Sequence, residues 1–160
     1  MWTAVVAEQL GHPPDTALSM AKIVAGTAAQ AKARRLGVVE EREKAVREAG
    51  DRAPVEQVVR LLGHDIGLVA DPDGVILGAG SDGKPAPAAP VRAYIARAFG
   101  ERLQEARGAM EGLAKSPPPD ELNRVAFKLY EAFRPRVLEG VIGWGAKGEL
   151  HLDRIRQATP

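Results

Sequence analysis

His12, His64 and His151 are the only histidines in this chain of 160 residues. With Ser19 and Asp65 they are the side chains from which a nucleophile, a base and an orienting carboxylate would be drawn. Nothing in their spacing brings them together, so no catalytic residue is assigned. His12 and His64 each follow a glycine read here as ending a helix, where an imidazolium would interact with terminal carbonyls. Capping is therefore their expected role. The chain has no cysteine, which removes disulfides, thiol catalysis and thiolate metal sites. Asp71, Asp73 and Asp82 lack the ligand spacing and closing glutamate of a calcium loop and read as turn residues. No metal and no cofactor are expected.

Two further patterns invite a chemical reading. Gly143-Trp144-Gly145-Ala146-Lys147-Gly148 has the spacing of a dinucleotide fingerprint. That fingerprint needs a strand before it and a helix and second strand after it, and only a dozen residues remain. The segment reads instead as a turning loop in which Trp144, with Lys147, anchors to the core or to a partner. The second pattern is the cluster Lys32, Arg34 and Arg35, joined by Arg42 and Lys44. Cations there suit a helix C-terminus with Glu40 and Glu41 nearby, or they form a local patch for nucleic-acid phosphates.

These residues depend on the elements that carry them. From Asp15 to about residue 36 the chain reads as a helix apolar around most of its circumference. At about 100° per residue, Val24, Ala17, Ala28, Ala21, Ala25, Leu18 and Ala29 fill one sector, and a narrow polar strip holds Ser19, Lys22, Gly26 and Gln30. Such a helix is expected to be encased from residue 17 to 31, with its basic end escaping. Residues 2 to 10 read as a short helix closed by Gly11, and Asp15 as the N-cap of the long helix, which Gly37 ends. Residues 38–50 form a charged arm. Val55, Val58, Val59 and Leu62 form a helical stripe ending at Gly63. This stripe echoes Val6, Ala7, Leu10 and Gly11, as if two helices ended by the same chemistry. No recognition helix follows Gly63, so a helix-turn-helix is not indicated.

Ile66 to Ala79 reads as a β-hairpin about Asp71-Pro72-Asp73-Gly74. A Pro/Gly/Ala loop follows over 80–90. Val91 to Lys115 is helical with a kink at Gly100, and Asp120 to Phe133 is an amphipathic helix with Leu122, Val125, Ala126, Leu129 and Phe133 inside. The Gly-rich tail, 140–160, suggests a strand or extended arm running into a last helical turn.

The expected fold is mainly α: one globular domain over 1–160, with five to six helices packed around the central helix of about 15–36 and a small β-hairpin of about 66–79. The formal net charge is +1, from 22 basic and 21 acidic residues, so an electrostatic partner must be held by a local patch. The sequence shows no secretory leader and no membrane-length apolar run, and a cytoplasmic protein with no membrane partner is expected. The function expected is non-enzymatic binding or assembly. Nucleic acid is the first partner, through Lys32, Arg34, Arg35, Arg42 and Lys44. The alternative is a homo-oligomer or complex subunit using the apolar helix face and the Trp144 loop, with a small hydrolase-type enzyme third.

Overall fold

The computed structural model describes residues 1–35, 55–135 and 150–159, and within the long helix the side chains up to position 29. In chain order its elements are α1 (Trp2–Gln9), α2 (Pro14–Arg35), β1 (Gln57–Leu61), β2 (His64–Ala70), β3 (Ile76–Gly78), α3 (Ala89–Phe99), a 3₁₀ turn (Gly100–Arg102), α4 (Leu103–Ala114), α5 (Pro119–Phe133) and α6 (Leu152–Gln157). The protein is mostly helical with a small antiparallel sheet in the order β1-β2-β3. The mainly α class with a small β-hairpin holds, and the hairpin gains a third strand. No helix among the described residues is long and apolar enough to cross a membrane.

α1 ends because Gly11 takes φ 96°. Its N–H then donates to Glu8 O, and the His12 N–H reaches back to Ala7 O at 3.1 Å, which satisfies carbonyls the helix leaves open. α2 begins one residue before the expected N-cap. The Ala17 N–H already donates to Pro13 O at 2.9 Å, so Pro14 occupies the first turn, where its missing N–H costs nothing. Asp15 sits inside that turn, favoured by the helix dipole and paired with Arg92.

α2 touches α1, α3, β2 and β3, as expected of the central helix. Its encasement stops early. Thr16, Ala17, Leu18, Ser19, Met20 and Ala21 are buried, Ile23 and Val24 half-buried, and Ala25 to Ala29 exposed. The helical wheel describes a circumference and contains no information on how far neighbours extend along the axis. Here they cover the first two turns.

The two buried hydroxyls of α2 explain its grip on the sheet. Thr16 donates to Ile76 O at 2.6 Å. Ser19 donates to Ala86 O at 2.6 Å and accepts the Gly78 N–H at 2.8 Å. The edge of β3 is thereby hydrogen-bonded by a helix and escapes the hazard of an open strand edge. A Cβ at Gly78 would lie 3.0 Å from Ile23 Cγ1 and 3.4 Å from Ser19 Oγ, so any side chain there would crowd this approach.

The helix expected over Val55 to Gly63 is a strand. Its stripe satisfies helical spacing, but the β-branched valines fit a pleated surface equally well, and Leu62-Gly63 makes the shortest hairpin connection. Leu62 takes φ 47° and Gly63 φ 81°, giving β1 and β2 a turn with positive φ at both central positions. The register follows, with Leu61 opposite His64 and Gln57 opposite Leu68. The echo between residues 6–12 and 58–64 thus reports a positive-φ glycine shared by a helix end and a hairpin. His64 pairs in β2 and caps no helix. A leucine in the left-handed region costs about 1–2 kcal/mol, and Asn123 of α5 offsets this by clamping the turn. Its Oδ1 accepts the Leu62 N–H at 3.1 Å, and its Nδ2 donates to Arg60 O at 2.6 Å.

Beyond the sheet, Gly100 breaks the long helical region into α3 and α4 with φ 53°. α5 follows its sequence closely: Pro119 starts it, Asp120 and Glu121 occupy its first turn, and Arg134, extended before Pro135, ends it. All five residues assigned to its inner face are buried. Trp2 lies edge-on to Phe133, with ring centroids 5.3 Å apart, and donates to Ala126 O at 2.9 Å. The last helical turn expected of the tail is the helix α6, which already starts at Leu152, where a strand or arm was expected. Arg154 on α6 donates to Ala132 O at 2.7 Å and Arg134 O at 3.3 Å, completing the end of α5. The arm at 38–50 and the loop around Trp144 lie outside the described residues.

Two substitutions test these ties. Ser19→Ala leaves the Gly78 N–H and Ala86 O without their partner in a dry site and should lower unfolding free energy by about 2–3 kcal/mol, measured by urea denaturation. Asn123→Ala should cost about 1–2 kcal/mol and, by amide exchange, loosen the Leu62 N–H more than the centre of β2.

Candidate functional site

A cleft of about 630 Å³ lies between the middle of α2 and the loop from Ala79 to Pro87. α2 presents Lys22, Ile23, Gly26 and Thr27 to it, residues that share a face because positions i and i+4 stack along a helix. Lys22 is exposed and Ile23 half-buried. Thr27 returns its hydroxyl to Ile23 O at 2.9 Å. Gly26 leaves a gap, since a Cβ there would meet nothing within 4 Å.

The opposite wall is a closed turn. The Gly80 N–H donates to Lys84 O at 2.8 Å and the Gly83 N–H to Gly80 O at 2.9 Å. Asp82 Oδ1 accepts the Lys84 N–H at 3.1 Å, as its reading as a turn residue requires. The far side is held because Ala79 and Ala86 bond backward to Gly67 O at 2.7 Å and Gly78 O at 2.8 Å. Ser19 holds the same strand and loop from beneath, so the cleft's two walls are cross-linked at its base. Lys84, Asp82 and Ser81 are exposed, while Ala86 is buried in the floor.

The charges of the cleft form no acid–base machinery. Among the described residues, Lys22 and Lys84 have no carboxylate within 4.0 Å, and Asp82 bonds to backbone. Ser19 is fully buried with its hydroxyl committed to Ala86 O, which removes it as a nucleophile. The turn at Asp71 is equally structural: its Oδ1 accepts the Asp73 and Val75 N–H groups at 2.9 and 2.8 Å. No group of three or more metal-ligating side chains occurs among the described residues. What the cleft offers is two ammonium groups, hydroxyls and a carboxylate around an apolar floor.

Two other polar places are structural. Arg107 on α4 pairs with Glu8 on α1 and donates through Nε to Glu111 at 2.7 Å. Burial opposes its charge, but the two glutamates more than compensate and raise its pKa above the ordinary arginine value. A groove of about 490 Å³ between α4 and α6 is flanked by Arg156 and Glu105, 3.3 Å apart.

Of the residues assigned from sequence, Lys32, Arg34 and Arg35 lie in the last turns of α2, about 15–20 Å along the axis from Lys22 at the ordinary helical rise. Their side chains, and Arg42, Lys44, Trp144 and Lys147 altogether, fall outside the described residues. Lys22, Lys84 and Asp82 were missed as a group. The available signal was the polar strip Ser19, Lys22 and Gly26 on an otherwise apolar helix; what it faced depended on the long-range pairing of β3 with α2.

The chain matches no protein-family model, no curated protein and no solved structure. The stiffness of the loop wall is testable directly. Asp82→Ala should speed exchange of the Lys84 amide by about fivefold, from loss of a hydrogen bond worth about 1 kcal/mol, while leaving the Gly78 amide unchanged by NMR.

Proposed function

We propose that this chain is a non-enzymatic nucleic-acid-binding protein of the cytoplasm, without a membrane partner, that lays a phosphate backbone along the exposed stretch Ala25 to Ala29 of α2. The observation that carries this reading is the exposure of Ala25 to Ala29. Small side chains there let a backbone approach closely, between Lys22 and Lys84 at one end and Lys32, Arg34 and Arg35 at the other. Arg42 and Lys44 follow in sequence and extend the basic set. A net charge of +1 gives no long-range attraction, so affinity must come from these local contacts. The absence of cysteine agrees with a reducing compartment.

The same exposed stretch favours a second reading, a homo-oligomer or complex subunit. Ala25, Gly26, Ala28 and Ala29 would allow two helices to pack closely, with Trp144 and Lys147 as a further contact.

Fluorescence anisotropy with mixed-sequence DNA and RNA, beside the solution mass of the free protein, separates the two. Binding at low salt should weaken steeply as salt rises, and Arg34→Glu with Arg35→Glu should reduce the log–log salt slope by about 0.7 per lost contact on a single strand. Absence of binding at low salt refutes the first reading. A dimer mass that Ala28→Arg returns to the monomer supports the second.

A further inference from the structure

We infer that the cleft between α2 and the Ala79–Pro87 loop is a seat for one nucleoside monophosphate unit, free or within a single strand; the strand form rests on the nucleic-acid reading above. At about 630 Å³ the cleft lies within the range of small-ligand sites. Its contents select among ligands. Lys22 and Lys84, exposed and without a carboxylate within 4.0 Å among the described residues, suit a phosphate. A bare anion, however, would face Asp82. One Asp82 oxygen is held by the Lys84 N–H, and the other is directed to no donor among the described residues. A ligand matching both signs carries an anionic group and N–H donors, as a nucleotide does in its phosphate and base edge. Ile23, Pro85 and Ala86 supply an apolar floor for the face of a base.

The same geometry chooses between strand forms. In a duplex the hydrogen-bonding edge of each base is occupied and its faces are stacked, so neither could meet Asp82 or the floor. An unpaired nucleotide can turn into the cleft while its neighbours run along α2 toward Lys32. The preference for single strands therefore comes from the cleft, and the general attraction to phosphate from the end of the helix.

Gly26→Leu fills the cleft, and titration with a mononucleotide reads that change apart from any strand track along α2. The position is interior to α2, nothing lies within 4 Å of its added Cβ, and leucine is the better helix former, so the variant should fold and its melting temperature should not fall. Calorimetric titration of the wild-type chain with a nucleoside monophosphate should show binding that Gly26→Leu, and separately Lys22→Ala with Lys84→Ala, weakens by about tenfold or more. Ribose 5-phosphate and inorganic phosphate should bind more weakly than the nucleotide. Equal affinity for the three would overturn the inference, because the base would then contribute nothing.

Anisotropy with single-stranded and duplex oligonucleotides supplies the second arm. A single-strand preference lost in Gly26→Leu supports the inference. Oligonucleotide binding that Arg34→Glu with Arg35→Glu abolishes, but that Gly26→Leu leaves unaltered, overturns the cleft and retains the nucleic-acid reading. Mononucleotide binding sensitive to Gly26→Leu, with no oligonucleotide binding, retains the cleft and refutes the strand form. Binding of neither probe refutes both.

Discussion

Ser19 is wired between two segments that are separated in sequence and adjacent in space. Its hydroxyl donates to Ala86 O and accepts from Gly78 N–H, and no part of it reaches solvent. A buried hydroxyl without partners is costly, and so are a buried N–H and C=O. The arrangement meets all three demands at once only if α2, β3 and the loop after β3 sit at one separation. Gly78 makes that separation attainable, because a side chain there would meet Ile23 and Ser19 itself. The position of the sheet on the helix, and hence of the cleft above this contact, is set by polar satisfaction as much as by apolar burial.

Division of α2 into a buried and an exposed half follows from the same contact. Thr16 and Ser19 spend the first turns on the backbone of β3 and its loop, and Ala17, Met20 and Ala21 face α1 and the core. Past Ile23 the sheet has ended, since β3 is only three residues long, and Ala25 to Ala29 are exposed. Alanines suit both circumstances. They hold a helix by propensity where packing does not reach, and they present too little apolar surface for each to require burial.

Legibility of the fold in the sequence varied with how local its causes are. The ends of α1 and α5, the break at Gly100 and the Asp71 turn are written in prolines, glycines and aspartates whose effects reach a few residues, and they stand where those residues place them. β1 was misread because Val55, Val58, Val59 and Leu62 have helical spacing, while three of them are β-branched valines that suit a strand. The deciding facts are the pairing with β2 through the Leu62-Gly63 turn and the clamp from Asn123, more than 60 positions away, and the clamp leaves no local trace. The cleft was half legible. Its helical wall was visible as the strip Ser19, Lys22 and Gly26, while the turn at Asp82 was read correctly without any indication of what it faces.

A chain of nearly balanced charge can still present a selective charged site, provided its charges are sorted in space. Most arginines among the described residues are engaged: Arg92 with Asp15, Arg107 with Glu8 and Glu111, Arg124 with Glu121, Arg156 with Glu105 and Asp153, and Arg154 with the carbonyls ending α5. These join helix to helix or residues within one helix, and their charge is locally cancelled. Lys22 and Lys84, like Arg97, Arg102, Lys115, Lys128 and Arg134, have no carboxylate within 4.0 Å among the described residues, and these two lie on opposite walls of an open cleft. At physiological ionic strength charges are screened over about 8 Å, so a ligand in the cleft senses these two ammoniums and Asp82 far more strongly than the remainder of the chain. The overall balance therefore sets no limit on the proposed ligand; the two walls that carry these three side chains do, and they are joined at their base by the buried hydroxyl.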